Sequence, residues 1–567
     1  MKPTTKQTRP AGIDSQASPK YTLPLMVLAF FLFLLPVLPQ VGTYHSDERF
    51  YTDAAVYMSL HHDYLTPHYA DGSLRLNKPI ATYWLLMAGY ALWGMTLLGA
   101  RLPFLLSGCL ILWLTYRISL ALFARRRDGL FAAAILAGNV QFIALSLRAT
   151  PDILQTLFLN LSLFGFIRLL FHEDNRQRNY LIAYLGAALA VATKGMLGIA
   201  PVVFAFVFAC FLEGRRAHLR RLFNGPAMLS AVILGSAWFV AMLMQHGHQE
   251  LARFYQDQVG DRLSGPKYLF LLNLKDYLWG FVRYFAPWCL VVLAGLWLCR
   301  KSLSAFVREH RRAVGFIAGW TAILLVIFSA GNISRTRYLI PAYPLLAVLC
   351  ASLFTAVFQA GGIQRMWRWI CRIFLGLMLV LGAALTVGGA ALHWQLSMAG
   401  FLLLAAAVPC AWFMLRRHTA LPPLAFAMLV LFTTASTHSL VLPVFRFVPT
   451  RQTAETVLAD SGRHFPVTLW AERRLKFAGQ LYLISKGRIV PIHFHAGPLP
   501  PDLDQHPLVL LTQNAMDKVS LADYTTTPCG PVTRPASFDE LWRAWRTGRR
   551  RAVFDTLQEP CYLARRK

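Results

Sequence analysis

The sequence predicts an all-α polytopic membrane domain of about thirteen transmembrane helices, followed by a small external α/β domain. Hydrophobic residues fill 56% of the 567 positions, and the mean hydropathy is +0.45. Apolar runs close to the ~20 residues that cross ~30 Å of hydrocarbon recur along most of the chain. Beyond residue 445 that pattern stops, and short β-rich runs alternate with helical stretches, as in a soluble domain.

Residues 1–20 form a basic tail with Lys2, Lys6, Arg9 and Lys20. Residues 21–41 are too long and unbroken for a cleaved signal peptide, and no small-residue cleavage site follows, so they read as a retained first span. Further spans are expected near 102–123, 129–147, 152–171, 180–194, 196–213, 226–244, 279–299, 313–330, 337–358, 373–392, 399–415 and 421–441. The run 79–98 is placed at the membrane interface instead, because Lys78-Pro79 opens it and Gly89 and Gly94 interrupt it.

Charge in the connections tests this order, since Lys and Arg are retained on the cytoplasmic side. The even connections carry Arg125-Arg126-Arg127, Arg176 with Arg178, Arg215-Arg216 with Arg220-Arg221, Arg300-Lys301 with Arg308 and Arg311-Arg312, Arg365 with Arg368 and Arg372, and Arg416-Arg417. The short odd connections hold only Arg148, Lys194, Arg335 and Arg337. The alternation predicts a cytoplasmic N-terminus and an external C-terminal domain. Much of the net charge of +29 is then orientation signal and attraction to anionic membrane lipids, and nucleic acid is not needed to explain it. Cysteine usage agrees. Cys109 to Cys410 fall in or beside spans, where a thiol is a small hydrophobe; only Cys529 and Cys561 lie in the external region, where an oxidising compartment permits a bridge between them.

Three external pieces result: a first loop, 42–101; a middle loop, 245–278; and the C-terminal domain, 446–567, whose runs 465–470, 487–494 and 507–513 read as strands. No internal repeat is visible. In the first loop Phe50, Ala54, Tyr57 and Met58 recur at i, i+4, i+7 and i+8, the spacing of an amphipathic helix lying on the membrane surface. Asp47 and Glu48 stand at its N-terminal end, where anions gain roughly 0.3–1 kcal/mol from the helix dipole. Asp53 reads as an ordinary polar residue of that helix.

The span interiors are nearly free of ionisable groups, and Arg117, Arg168 and Arg283 lie close enough to span ends to snorkel. Charge gathers instead at the membrane-proximal external edge: Asp47, Glu48, Lys78, Arg148, Asp152, Lys194, Arg262, Arg335 and Arg337, with Tyr338 beside them. Carboxylates next to Lys and Arg in one layer suit a reaction on a phosphate-bearing substrate. Cations clamp phosphate oxygens and stabilise charge on a phosphate leaving group, and a carboxylate takes the proton of an attacking hydroxyl.

The Asp47-Glu48 pair after the first span, NKPIATYW (77–84), RATPD (148–152), ATKG (192–195) and SRTRYLIPAYP (334–344) together resemble the pattern of the integral-membrane glycosyltransferases of the C superfamily. The resemblance is to the aminoarabinose transferases that modify lipid A and to the protein mannosyltransferases. It implies an enzyme of the bacterial inner membrane that moves a sugar from a polyprenyl-phosphate donor to an external acceptor (a glycolipid such as lipid A, a glycan or a protein), with inversion. By this resemblance Asp47 is the catalytic carboxylate, Glu48 its companion and Asp152 a second functional acid. Lys78, Arg262, Arg335, Arg337 and Tyr338 are contacts to the donor phosphate. Two departures stand out. Asn77 replaces the acidic residue that precedes the Lys-Pro pair in aminoarabinose transferases, which removes a metal ligand some relatives have and leaves a divalent metal as no more than a possible cofactor. Arg335 or Arg337 stands where a lysine is common, exchanging a point charge for a planar fork.

His493 and His495, with His506 nearby, lack an acidic or cysteine ligand at metal-like spacing and read as surface histidines. His61-His62 belong to the interface helix, and WRAWRTGRRR (542–551) reads as a solvated basic face. Two alternatives stand beside the transferase. A flippase for lipid-linked sugars would carry broken helices and midplane charges; a polysaccharide ligase or polymerase more often has its large catalytic loop later in the chain.

Overall fold

The computed structural model describes residues 21–40, 47–260, 266, 268–332, 334–359, 363–444, 450–460, 466–472, 478, 480–494, 508–516, 523–533, 540 and 555–566. The first elements are α1 (Thr22–Leu34), α2 (Arg49–His61), α3 (Ala81–Trp93), α4 (Leu97–Phe123), α5 (Arg126–Ala137), α6 (Val140–Ser146), α7 (Pro151–Phe171) and α8 (Gln177–Lys194). Every apolar run expected to span falls on a helix or a bent pair of helices. Eight described helices are long and apolar enough to cross a membrane alone, and ten if each bent pair is one span. The bent pairs are α5 with α6, at 70°, and Tyr268–Phe285 with Trp288–Leu298, at 99°. The first bend falls at Gly138-Asn139 and the second at Ala286-Pro287, where proline withholds a backbone donor. Thr22–Val37 and Met196–Cys210 are apolar but shorter.

α4 is central, packing against α1, α3, α5, α7 and the helix Tyr343–Gln359. α7 and α8 form an antiparallel hairpin whose backbones touch through small residues. A Cβ on Gly165 would sit 2.5 Å from the Ala183 nitrogen, and one on Gly186 2.8 Å from the Ser162 nitrogen. The Ser162 hydroxyl donates across the same seam to the Ala183 carbonyl at 2.7 Å. In lipid, where no hydrophobic drive joins helices, such close contact holds them. It also brings Asp152, at the start of α7, level with Lys194, at the end of α8.

The surface-lying helix expected over residues 50–58 is α2, but its setting differs. Besides Ala54 and Met58 it buries Thr52, Asp53, Ala55 and Val56, so more than one face is covered. The cover is α3 on one side and the short helix Leu481–Ile484 of the C-terminal domain on the other. The interfacial run 79–98 forms α3 and ends at Gly94, whose φ of +77° favours glycine.

The C-terminal domain is a five-stranded mixed sheet in the order β2-β1-β3-β5-β4, with helices Thr450–Asp460 and Leu481–Ile484. β1 (Val467–Glu472), β2 (Ile489–Phe494) and β3 (Leu508–Thr512) are parallel and match the three expected strands. β4 (Tyr524–Thr533) and β5 (Gln558–Arg566) are antiparallel additions. β4 contains Pro528 and Pro531, which the ladder accepts because β4 is an edge strand. Cys529 and Cys561 meet in one buried cluster as thiols, and burial pushes the Cys529 thiol up to about 11. His493 is in β2; His495, His506 and 542–551 lie outside the described residues.

The Gly186→Val variant is expected to lose about 1–3 kcal/mol by forcing α7 and α8 apart, whereas Gly376→Ala, with open space around it, is neutral or slightly stabilising. Thermal unfolding in detergent compares them, and equal melting of Gly186→Val and wild type would contradict the packing described.

Candidate active site

One carboxylate organises this end of the bundle without facing the pocket. Glu48 is fully buried. Arg101 of α4 donates to it twice, Nε to Oε1 at 3.0 Å and Nη2 to Oε2 at 2.9 Å, and the Ala149 amide donates to Oε1 at 2.9 Å. Nη1 of Arg101 donates to the carbonyls of Leu38 and Gln40, both at 2.9 Å. Glu48 therefore joins the end of the first apolar helix, α4 and the turn before α7. Its expected role as catalytic companion is corrected: both oxygens are bonded inside the protein, and it does not line the pocket.

Asp47, the preceding residue, faces the other way, into an open pocket of about 150 Å³, space on the order of five water molecules. Its Oδ2 accepts from Arg337 Nη2 at 2.5 Å and from Arg335 Nη1 at 3.4 Å. Across from it, Asp152 follows Pro151 at the start of α7 and takes Lys194 Nζ at 2.5 Å, with Arg337 Nε 3.9 Å from its other oxygen. Lys194 lies 4.8 Å over the Tyr338 ring. Lys78 is 8% exposed and donates to the Gln258 side-chain oxygen Oε1. Among the described lining residues four cations (Lys78, Lys194, Arg335, Arg337) face two carboxylates (Asp47, Asp152). Asp47 is the more open of the two, its side chain 27% exposed against 6% for Asp152.

The structure thus brings together Asp47, Asp152, Lys78, Arg335, Arg337 and Tyr338. Arg262 lies outside the described residues. Sequence reasoning placed Lys194 at the edge but not in the site, although the ATKG turn holds its signal. It missed Phe50 and Tyr51, which form one wall. Behind that wall Arg75 is 5% exposed, its guanidinium 5.0 Å from the Phe50 ring, 5.3 Å from Tyr51 and 5.0 Å from Tyr69. Cation–π contact and the Tyr69 hydroxyl at 3.1 Å hold this charge away from water. Asp53, beside it on α2, is buried rather than an ordinary surface polar group, and burial pushes its carboxyl up to about 8.

A divalent metal does not fit these residues. Among the described residues no three His, Cys, Asp or Glu side chains gather, and each pocket carboxylate is already bonded to a cation. Four cations facing two carboxylates make the described lining suited to an anion.

The fold is polytopic and helical, with a pocket at one end whose described lining is rich in cations. Comparison with known proteins narrows this. Residues 77–244 match the family model for dolichyl-phosphate-mannose-protein mannosyltransferase. Undecaprenyl phosphate-alpha-4-amino-4-deoxy-L-arabinose arabinosyl transferase 1 of Pseudomonas fluorescens is 29% identical over 357 residues, which is 60% of this chain and 61% of that protein. An uncharacterised protein of Aquifex aeolicus is 28% identical over 369 residues, 63% of this chain and 69% of its own length. The crystal structure of ArnT from Cupriavidus metallidurans bound to undecaprenyl phosphate superposes with a TM-score of 0.67 at 17% identity, covering 96% of this chain and 98% of that one. The chain therefore has the fold of that membrane glycosyltransferase, and the resemblance to aminoarabinose transferases and protein mannosyltransferases is borne out.

Two outcomes follow. Arg101→Met takes the guanidinium from the buried Glu48, and breaking such a pair costs about 3–5 kcal/mol; little folded protein should appear by fluorescence-detected size exclusion, and wild-type recovery would show that the pair is dispensable. For Asp53, a carboxyl raised by burial from 3.8 to about 8 gives a stability contribution that is whole at low pH and is lost as pH rises between those values. Melting of the wild type relative to Asp53→Asn should fall between about pH 4 and pH 8 and level off above; a flat difference would place the carboxylate in water.

Proposed function

We propose that the protein transfers a sugar from a polyprenyl-phosphate donor to a hydroxyl of an external acceptor, a glycolipid of the lipid A type being favoured by the arabinosyl transferase relatives. The observation that carries this reading is the surplus of two positive charges among the pocket's described lining residues, four cations against two carboxylates, around an accessible Asp47. A sugar phosphodiester enters with one negative charge and departs as a phosphate monoester with more, so fixed cations favour the departing state over the bound donor. Lys78, Lys194, Arg335 and Arg337 bind the phosphate, with Tyr338 packed beneath Lys194. Asp152, held by Lys194, orients rather than reacts.

In the proposed step Asp47 accepts the proton of the acceptor hydroxyl while that oxygen forms a bond to the anomeric carbon. The bond from that carbon to the phosphate oxygen breaks on the opposite face, and configuration inverts. Undecaprenyl phosphate, the lipid bound in the structurally similar ArnT, is the carrier this reading favours.

Orientation follows from the basic connections. α7 and α8 carry pocket residues at one end and α4 holds Glu48 at that same end, and their opposite ends lead into Arg125-Arg126-Arg127, Arg176 and Arg178. Basic residues stay cytoplasmic, which supports an orientation with the pocket and the C-terminal domain outside and the N-terminus inside. A transporter is the weaker reading, since the two bends, at Gly138-Asn139 and Ala286-Pro287, carry no ionisable group at the break.

The Asp47→Asn variant is expected to lose transfer by about 10²–10⁴-fold, the span of general-base contributions, at unchanged protein level. Mass spectrometry of extracted glycolipids from deletion strains complemented with each form reads this out, and near-wild-type modification by Asp47→Asn would remove Asp47 as the base.

A further inference from the structure

Thr336–Ala342 runs as a seven-residue 3-10 turn and carries Arg337 and Tyr338 into the pocket, with Arg335 at its N-cap. A 3-10 run of this length is uncommon, because its hydrogen bonds are poorly aligned and its side chains eclipse. Pro341 inside it withholds one more donor. The segment therefore needs bonds from outside to keep one shape.

Gln141 supplies them. It lies in α6, just past the 70° bend, and Asn139 fixes that bend. The Asn139 side-chain oxygen accepts from the Phe142 amide at 3.0 Å, and its Nδ2 donates to the Tyr284 carbonyl at 2.9 Å. Gln141 is thereby turned inward and buried. Its Nε2 donates to Thr336 Oγ1 at 3.2 Å, and its Oε1 accepts from the Tyr343 hydroxyl. A primary amide is donor and acceptor at once, so one side chain bridges the first residue of the turn and the residue just past its last. Asn160 adds a bond from Nδ2 to the Pro341 carbonyl at 3.0 Å. Gly280 lets Thr336 come close: a Cβ there would meet the Thr336 methyl at 3.0 Å.

We infer that Gln141 is a positioning residue for the phosphate-binding wall, clamping both ends of the turn so that the Arg335 and Arg337 guanidinium groups stay aimed at the pocket. This rests on the phosphate-binding function proposed above. Gln141 does not line the pocket; it acts through Thr336, which lies between the two arginines in sequence. Displacement of a clamp by ~1 Å costs on the order of 10²-fold where geometry is strict, and a loosened clamp costs less.

The test compares full-length wild type, Gln141→Leu, Thr336→Val, their double variant and Thr336→Ser in detergent. Two quantities are measured, affinity for undecaprenyl phosphate and amide hydrogen exchange over residues 334–340. Each single variant should weaken binding about tenfold and speed exchange in the segment, the double should be no worse than Gln141→Leu because Thr336→Val removes only a bond that Gln141→Leu has already removed, and Thr336→Ser, which keeps the hydroxyl, should stay within about twofold. Losses that multiply in the double, or exchange unchanged by Thr336→Val, would overturn the clamp. Thr336→Val alone decides the matter where Gln141→Leu does not fold. Exchange is read without lipid, so it judges the clamp even if wild type fails to bind undecaprenyl phosphate, a result that would count against the proposed function instead.

Discussion

The pocket end of this protein depends on the ion pair between Glu48 and Arg101. Both side chains are 1% exposed, a position that normally penalises charge heavily. The arrangement survives because it is saturated: the carboxylate takes two guanidinium bonds and the Ala149 amide, and the remaining guanidinium nitrogen takes two main-chain carbonyls. Those carbonyls belong to Leu38 and Gln40, so the polar chain leaving the first helix is satisfied where little water reaches. Asp47 precedes Glu48 by one residue and Asp152 follows Ala149 by three. The two carboxylates of the pocket are thus located by a third that does not line it.

A second constraint acts along α7 and α8. Their glycine and serine contacts fix an antiparallel pair, which puts the N-terminus of one helix beside the C-terminus of the other. Asp152 sits at the positive end of α7 and Lys194 at the negative end of α8, so each charge stands where its helix dipole favours it. Packing that looks merely structural therefore sets the ionic contact at the base of the pocket.

Much of the site was legible because ionisable residues are scarce in spanning sequence. Asp47, Lys78, Asp152, Arg335 and Arg337 stood out at span edges, and the structure gathers them with Tyr338. Glu48 was misread for a local reason: adjacent carboxylates suggest a working pair, whereas consecutive residues in a turn point apart. Gln141 carried no signal, since one neutral amide in an apolar run looks like tolerated polarity until its two partners, 195 and 202 residues on, are brought to it. The burial of Asp53 and Arg75 was equally hidden. Period-3.6 spacing reports one apolar face of α2, but its second cover comes from a segment near residue 482, and no local pattern encodes that. β4 was missed because its run of threonines and prolines lacks strand alternation and is held as an edge by β5.

Arg337 is placed between both pocket carboxylates, 2.5 Å from Asp47 and 3.9 Å from Asp152. A guanidinium is a planar fork with several donors and stays charged at any working pH. On the proposed function, a phosphate entering the pocket competes with Asp47 for those donors, and it competes well because bidentate phosphate contact suits the fork. Every bond Arg337 gives to phosphate weakens its hold on Asp47. Asp152 loses less, because Lys194 stays with it at 2.5 Å. The same residue that binds the leaving group then frees the base, so that a carboxylate otherwise neutralised by arginine becomes available when the donor is in place. Lysine at that position would offer one point charge in place of the fork, too compact to span both carboxylates while gripping a phosphate.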